Sequence, residues 1–182
     1  MLKLNLGCGK RIIPGFIHID WADFPHIDYI HDIRTLPMFD DQSVDLIYSS
    51  HTIEYFDRDE VIAILTEWQR VLKHGGRLRL AVPDIEGLVK VYNKHQKLEM
   101  ILGPLYGKMS VKGREDFVYH RTIYDFNSLK DVLLRSGFES VRRYDWRQTM
   151  HKDFDDFSQA YIPHMDKDNG ILISLNVEAV NF

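Results

Sequence analysis

The chain has 182 residues, 45% hydrophobic and 27% charged, with 23 Lys and Arg against 27 Asp and Glu for a net charge of −4. That is an ordinary globular composition with enough apolar material for one well-filled core, and it lacks the basic surplus of a protein that grips a nucleic-acid backbone unaided. No apolar run approaches the ~18 residues of a membrane span, and the single cysteine, Cys8, leaves no internal disulfide and no multi-cysteine metal site. The start goes straight into a strand-like alternation with no room for a signal peptide, so the chain is read as cytoplasmic. No repeat or linker-like shift divides it, so one domain spans 1–182.

In chain order, Leu2 to Leu6 alternates and stops at Gly7, which reads as a strand entering a glycine turn. Phe16 to Ile19, Tyr29 to Ile30, Val44 to Tyr48 and Leu78 to Val82 are further strand candidates. Arg58 to Leu72 carries Val61, Ile64, Leu65, Trp68, Val71 and Leu72 in a helical stripe, with Asp57 to cap its start and Gly75–Gly76 to end it. A second helix is expected from Leu129 to Ser136, with Ser128 and Asp131 in capping-box spacing and Gly137 at its end. Strands follow at Phe138 to Trp146 and Ile171 to Val180. Strands joined through helices require crossovers and a mostly parallel sheet, hence an α/β layered fold.

Ligands of such sheets bind outside the carboxyl ends of the strands. The first residues there are Leu6, Gly7, Cys8 and Gly9, a turn whose glycines admit a ligand to the backbone. Asp20 ends the second strand, where a carboxylate accepts ribose hydroxyls or serves as a turn cap, and Trp21 follows it. Asp32, with Ile33 beside it, fits either the exocyclic amine of adenine or a cap on the turn Arg34 to Pro37. Ser49, Ser50 and His51 end the fourth strand, and Pro83 with Asp84 the fifth. An imidazole takes a proton near neutrality. A helical turn after His51 would bring Glu54 and Tyr55 onto its face, so His51 and Tyr55 are the catalytic candidates, against a structural reading in which His51 caps the turn. Two ligands, His51 and Glu54, do not define a metal site, and none is expected. Cys8 is read as a small residue that fits its turn, since nothing beside it would activate a thiol.

The ordered blocks LNLGCGKR (4–11), FIHID (16–20), HDIRTLP (31–37), VDLIYSSHTIEYF (44–56) and RVLKHGGRLRLAVPD (70–84) resemble the class I S-adenosylmethionine-dependent methyltransferases, in their small branch with an LNLGCG opening. YDFNSLKDVLLRSGFESVRRY (124–144) and SLNVEAV (174–180) are a weaker echo of the later helix and strands. The resemblance implies a Rossmann-like three-layer sandwich with a seven-stranded sheet of order 3-2-1-4-5-7-6 and an antiparallel seventh strand. It implies S-adenosylmethionine as cofactor, with Gly7 to Gly9 beside its methionine part, Asp20 on the ribose and Asp32 near the adenine. Trp21 then lies against the adenine face or is an ordinary surface or core aromatic.

Two departures shape the expectations. Only eleven positions separate Gly9 from Asp20, so the first crossover helix is cut to a turn or less, and no helix precedes strand one. Cover for the substrate must come from the segments 91–124 and 147–170. One sheet face also loses its helix, and the 91–124 segment or a second copy must cover it, which favours a homodimer. The acceptor is expected to be a small or sugar-like molecule. A non-catalytic cofactor-binding subunit and an NAD-dependent dehydrogenase remain as alternatives. The dehydrogenase suffers more from the lost helix, whose N-terminus would bind pyrophosphate.

Overall fold

The computed structural model of the chain describes residues 1–110 and 117–182. Among these residues the strands are β1 (Lys3–Leu6), β2 (Ile17–Asp20), β3 (Tyr29–Ile30), β4 (Val44–Ser50), β5 (Leu72–Pro83), β6 (Met109–Ser110), β7 (Phe117–Val118), β8 (Phe138–Arg143), β9 (Tyr161–Ile162), β10 (Ile171–Leu172) and β11 (Ser174–Asn181). The helices are α1 (Val61–Val71), α2 (Ile85–His95), α3 (Glu99–Tyr106) and α4 (Phe126–Arg135). Seven strands form one sheet in the order β3-β2-β1-β4-β5-β11-β8, with β11 antiparallel to both neighbours; β6–β7 and β9–β10 are separate two-stranded ribbons. Numbered within the sheet alone, that is the expected 3-2-1-4-5-7-6. No described helix is long and apolar enough to cross a membrane.

The main core lies on one face of this sheet. Leu4 and Leu6 of β1, Ile47 of β4, Leu78 and Leu80 of β5 and Val177 of β11 alternate toward it. The predicted stripe of α1 lands there, with Val61, Ile64, Leu65, Trp68 and Val71 all buried, each contributing on the order of 1.5–3 kcal/mol by burial. Trp68 donates its indole N–H to the Ile33 carbonyl at 2.7 Å, so its one polar atom is satisfied inside the core.

Several local expectations shift. The carbonyl of Asp57 accepts the Val61 N–H, and its own N–H bonds to the Glu60 carboxylate, but the helix begins three residues later than expected and its N-cap position is Glu60, so Asp57 holds the turn before α1 and does not cap it. The helix ends at Val71 without a glycine, because Leu72 is already extended and Asn181 donates its side-chain amide to the Gln69 and Leu72 carbonyls. Gly75 and Gly76 instead sit inside β5, where the register jumps from Val44↔Leu72 to Leu46↔Arg77. The capping box of α4 is Asp125 with Ser128, one turn earlier than expected. The last predicted strand is broken at Ile173 into β10 and β11.

Residues 7–16 between β1 and β2 contain turns and no helix, as the short spacing required. Cover for the face left bare comes from another part of the chain. Residues 144–160 of the same chain lie on it. The Tyr48 hydroxyl donates to Asp156, His151 packs 4.3 Å from the Tyr48 ring and 6.3 Å from Phe16, and Asn176 donates to the Ser158 carbonyl at 2.9 Å. His151 is 1% exposed. This cover removes the ground on which a homodimer was expected. Glu178, on the same face, is buried and held by Arg79 at 2.7 Å and Arg142 at 2.8 Å. That pairing satisfies a charge that would otherwise be costly inside a protein.

Candidate functional site

The strand order reverses direction between β1 and β4, and at that switch point the turn after β1 touches the ends of β2 and β4, with the end of β4 bonded to β5. Gly7 (φ +66°) and Gly9 (φ +54°) turn the chain out of β1. A Cβ on Gly7 would overlap the Thr52 side chain, whereas one on Gly9 would meet nothing within 4 Å, so the turn is sealed against β4 at Gly7 and open at Gly9. Leu6 is a core residue whose carbonyl accepts from Ser49 Oγ at 2.9 Å, which ties β4 to β1. Burial and the charge of Asp20 push the Cys8 thiol up to about 12, so it is a packing residue and not a thiolate.

Asp20 is buried and accepts two backbone hydrogen bonds at 2.8 Å, Gly9 N–H on Oδ2 and Ala22 N–H on Oδ1. Its carboxylate thus joins the glycine turn to the end of β2, and each oxygen retains a lone pair for a further donor. Trp21 next to it is 44% exposed. Asp32 performs the turn-capping role, accepting from the Arg34 backbone N–H at 3.0 Å and from its guanidinium at 2.8 Å. Arg34 in turn reaches Glu60 at 3.2 Å and lies over Phe56. Ile33 points into the core, so only its backbone faces the loops.

The end of β4 holds a different environment. His51 has φ +52°, a left-handed conformation costing a non-glycine residue about 1–2 kcal/mol. Its N–H donates to the Ala81 carbonyl at 2.7 Å, its Nε2 lies 3.2 Å from Ser174 Oγ, and its ring is 5.2 Å from that of Phe157. Its Nδ1 is 3.7 Å from Glu54 Oε1, and His120 Nε2 approaches the same oxygen at 3.7 Å. Glu54, on the 3-10 turn Ile53–Tyr55, is fully buried, and neither carboxyl oxygen has a hydrogen-bond partner. His120 Nδ1, Tyr124 Oη and Ser50 Oγ are likewise buried and unpartnered. Burial pushes Glu54 up to about 8 and, with the neighbouring His120 ring, pushes His51 down to about 3; burial also lowers His120. The resting set is therefore a neutral carboxyl between neutral imidazoles.

The sequence-predicted residues divide accordingly. Gly7, Gly9, Asp20, Trp21 and Asp32 line the ends of β1 to β3, and Ser50 and His51 the end of β4, whereas the Leu6, Ile33 and Ser49 side chains are structural. Tyr55 does not join His51; its ring meets His120 edge-on at 4.6 Å, and burial with the charge of Glu54 pushes its hydroxyl up to about 12. Thr52, Ser174 and Phe157 were missed, since nothing local marks them. Glu54 does come to the His51 face, as a helical turn there predicts, but its full burial was not foreseen, although its place between Ile53 and Phe56 was a signal of it. Among the described residues, no group of three or more His, Cys, Asp or Glu is arranged to hold a metal ion.

Residues 12–80 match the family described as "Methyltransferase domain". The chain is 29% identical over 130 residues to a demethylmenaquinone methyltransferase of Staphylococcus epidermidis, an alignment covering 66% of this chain and 51% of that protein. It thus spans about half the length of the curated relatives it matches. The S-adenosylmethionine-dependent methyltransferase structure from Archaeoglobus fulgidus is similar at a TM-score of 0.58 and 14% identity, covering 98% of this chain and 85% of that one. The corresponding structure from Methanosarcina mazei gives 0.57 at 16% identity, covering 98% and 91%. The chain therefore combines a methyltransferase-domain match with the fold of the class I, Rossmann-like S-adenosylmethionine-dependent methyltransferases, the family its sequence resembles.

Proposed function

We propose that the chain is an S-adenosylmethionine-dependent methyltransferase of one domain, working in the cytoplasm on a small-molecule or sugar-like acceptor. The observation that carries this reading is the closeness, at one switch point, of an open glycine turn braced by a buried carboxylate and a buried cluster of unpartnered polar groups after β4. Asp20 has the spare lone pairs to take ribose hydroxyls, the open side of Gly9 admits the methionine part, and exposed Trp21 offers a ring to the adenine. A small acceptor accords with the name of the curated relatives. The dehydrogenase alternative is disfavoured, because residues 7–16 supply no helix N-terminus for a pyrophosphate.

S-adenosylmethionine supplies an activated methyl group on a sulfonium, so the protein's part is positioning and, for an acceptor bearing a proton, a base. His51 is that base, neutral at physiological pH and held by Ser174 and the turn after β4. Tyr55 acts at one remove, by setting the ring of His120. Calorimetry with S-adenosylhomocysteine and with NAD tests the cofactor, and His51→Ala tests the base. The substitution should lower turnover by about 10²- to 10⁴-fold with S-adenosylhomocysteine binding nearly unchanged. Binding of NAD without S-adenosylhomocysteine would overturn the cofactor assignment, and full turnover in a stable His51→Ala protein would overturn the base.

A further inference from the structure

A fully buried carboxyl with both oxygens unpartnered is costly, and native proteins rarely retain one without a use for it. Glu54 is such a group, and the chain assembles its surroundings from distant segments: His51 from the end of β4, His120 and Tyr124 from the stretch after β7, and Tyr55 from its own turn. Ser174 of β11 stands behind His51, and the positive charge of Arg58 acts on Tyr124. Both histidines aim a ring nitrogen at one Glu54 oxygen at 3.7 Å, close enough to form hydrogen bonds after a small adjustment and too far to have formed them.

Resting on the methyltransferase reading, we propose that Glu54 is the positioning residue of a proton-sharing set with His51 and His120, which receives the proton released by an acceptor hydroxyl or amine. A lone pair on the acceptor oxygen or nitrogen forms the bond to the methyl carbon as the methyl–sulfur pair stays on sulfur. The pair of the acceptor O–H or N–H bond stays on the heteroatom, and the proton passes to His51. The Glu54 carboxylate opposes the imidazolium charge until the proton is lost to solvent. His120 holds the shared oxygen from the other side, so that the carboxylate cannot turn away. The acceptor class is thus one that must shed a proton, such as a phenol or an amine.

Glu54 can oppose an imidazolium only when ionised, so turnover should rise with pH to a plateau, with a midpoint near 8. Glu54→Gln copies the protonated carboxyl in shape, so the melting temperature and S-adenosylhomocysteine affinity should stay as in the parent chain. Its turnover on a panel of phenols and amines should fall on the order of 10²-fold, with the alkaline rise abolished, and Glu54→Asp should restore part of that rise. A second measurement needs no acceptor: the infrared band of a protonated carboxyl in the ligand-free chain should titrate near pH 8 and be missing from Glu54→Gln. An unaltered pH rise in Glu54→Gln, or no such band in the parent chain, overturns the proposal. Failure of the parent chain to bind S-adenosylhomocysteine sinks the methyltransferase reading instead, and the infrared titration still decides the proton-sharing set.

Discussion

Replacing Asp20 separates its two jobs. The carboxylate accepts the Gly9 and Ala22 N–H groups at 2.8 Å each, and a backbone hydrogen bond to a charged acceptor is worth about 1.5–3 kcal/mol. In Asp20→Ala the buried Ala22 N–H is stranded while the half-exposed Gly9 N–H regains water, for a net loss of about 2–4 kcal/mol in folding. Asp20→Asn keeps one acceptor oxygen but turns an amide NH₂ toward the other donor, so it should fall between the two. If Asp20 also holds the ribose, either variant should bind S-adenosylhomocysteine more weakly by about 1–3 kcal/mol, roughly 5- to 150-fold. Urea unfolding reads the first effect and titration calorimetry the second. Asp20→Asn is the decisive variant because it keeps one of the two backbone hydrogen bonds: unchanged S-adenosylhomocysteine affinity in it would refute the ribose assignment, and unchanged stability in Asp20→Ala would refute the bracing role.

The glycine turn yields a paired prediction: Gly7→Ala drives a Cβ into Thr52 at φ +66° and should destabilise by more than the roughly 1–2 kcal/mol of backbone strain alone, whereas Gly9→Ala carries only that strain. Gly9→Ala should instead lose S-adenosylhomocysteine affinity beyond its change in unfolding midpoint, and equal affinity would show that the open side of Gly9 is not used. On the opposite face, Tyr48→Phe removes the donor to buried Asp156 and should cost about 1–3 kcal/mol, with faster amide exchange confined to residues 144–160. Unchanged exchange there would mean that other contacts hold this cover.

Much of the framework was written locally. The alternation through Leu6, the stop at Gly7, the acid at the end of β2 and the apolar stripe of α1 are each encoded within a few residues, because side-chain periodicity and turn chemistry are local properties. They were enough for the strands around the glycine turn and the shortened first crossover, while the sheet order came from the ordered family resemblance. Tertiary structure alone decided what covers the bare face and what surrounds Glu54. Tyr48 meets Asp156, and Glu54 meets His120, only after the chain has crossed the sheet several times. The same long-range packing turned Gly75–Gly76 into a bulge within β5 and placed Tyr55 on His120 instead of His51. A glutamate reads as polar wherever it stands in a sequence. Whether it meets water or two imidazoles depends on which distant segments close over it, and that closure sets its charge.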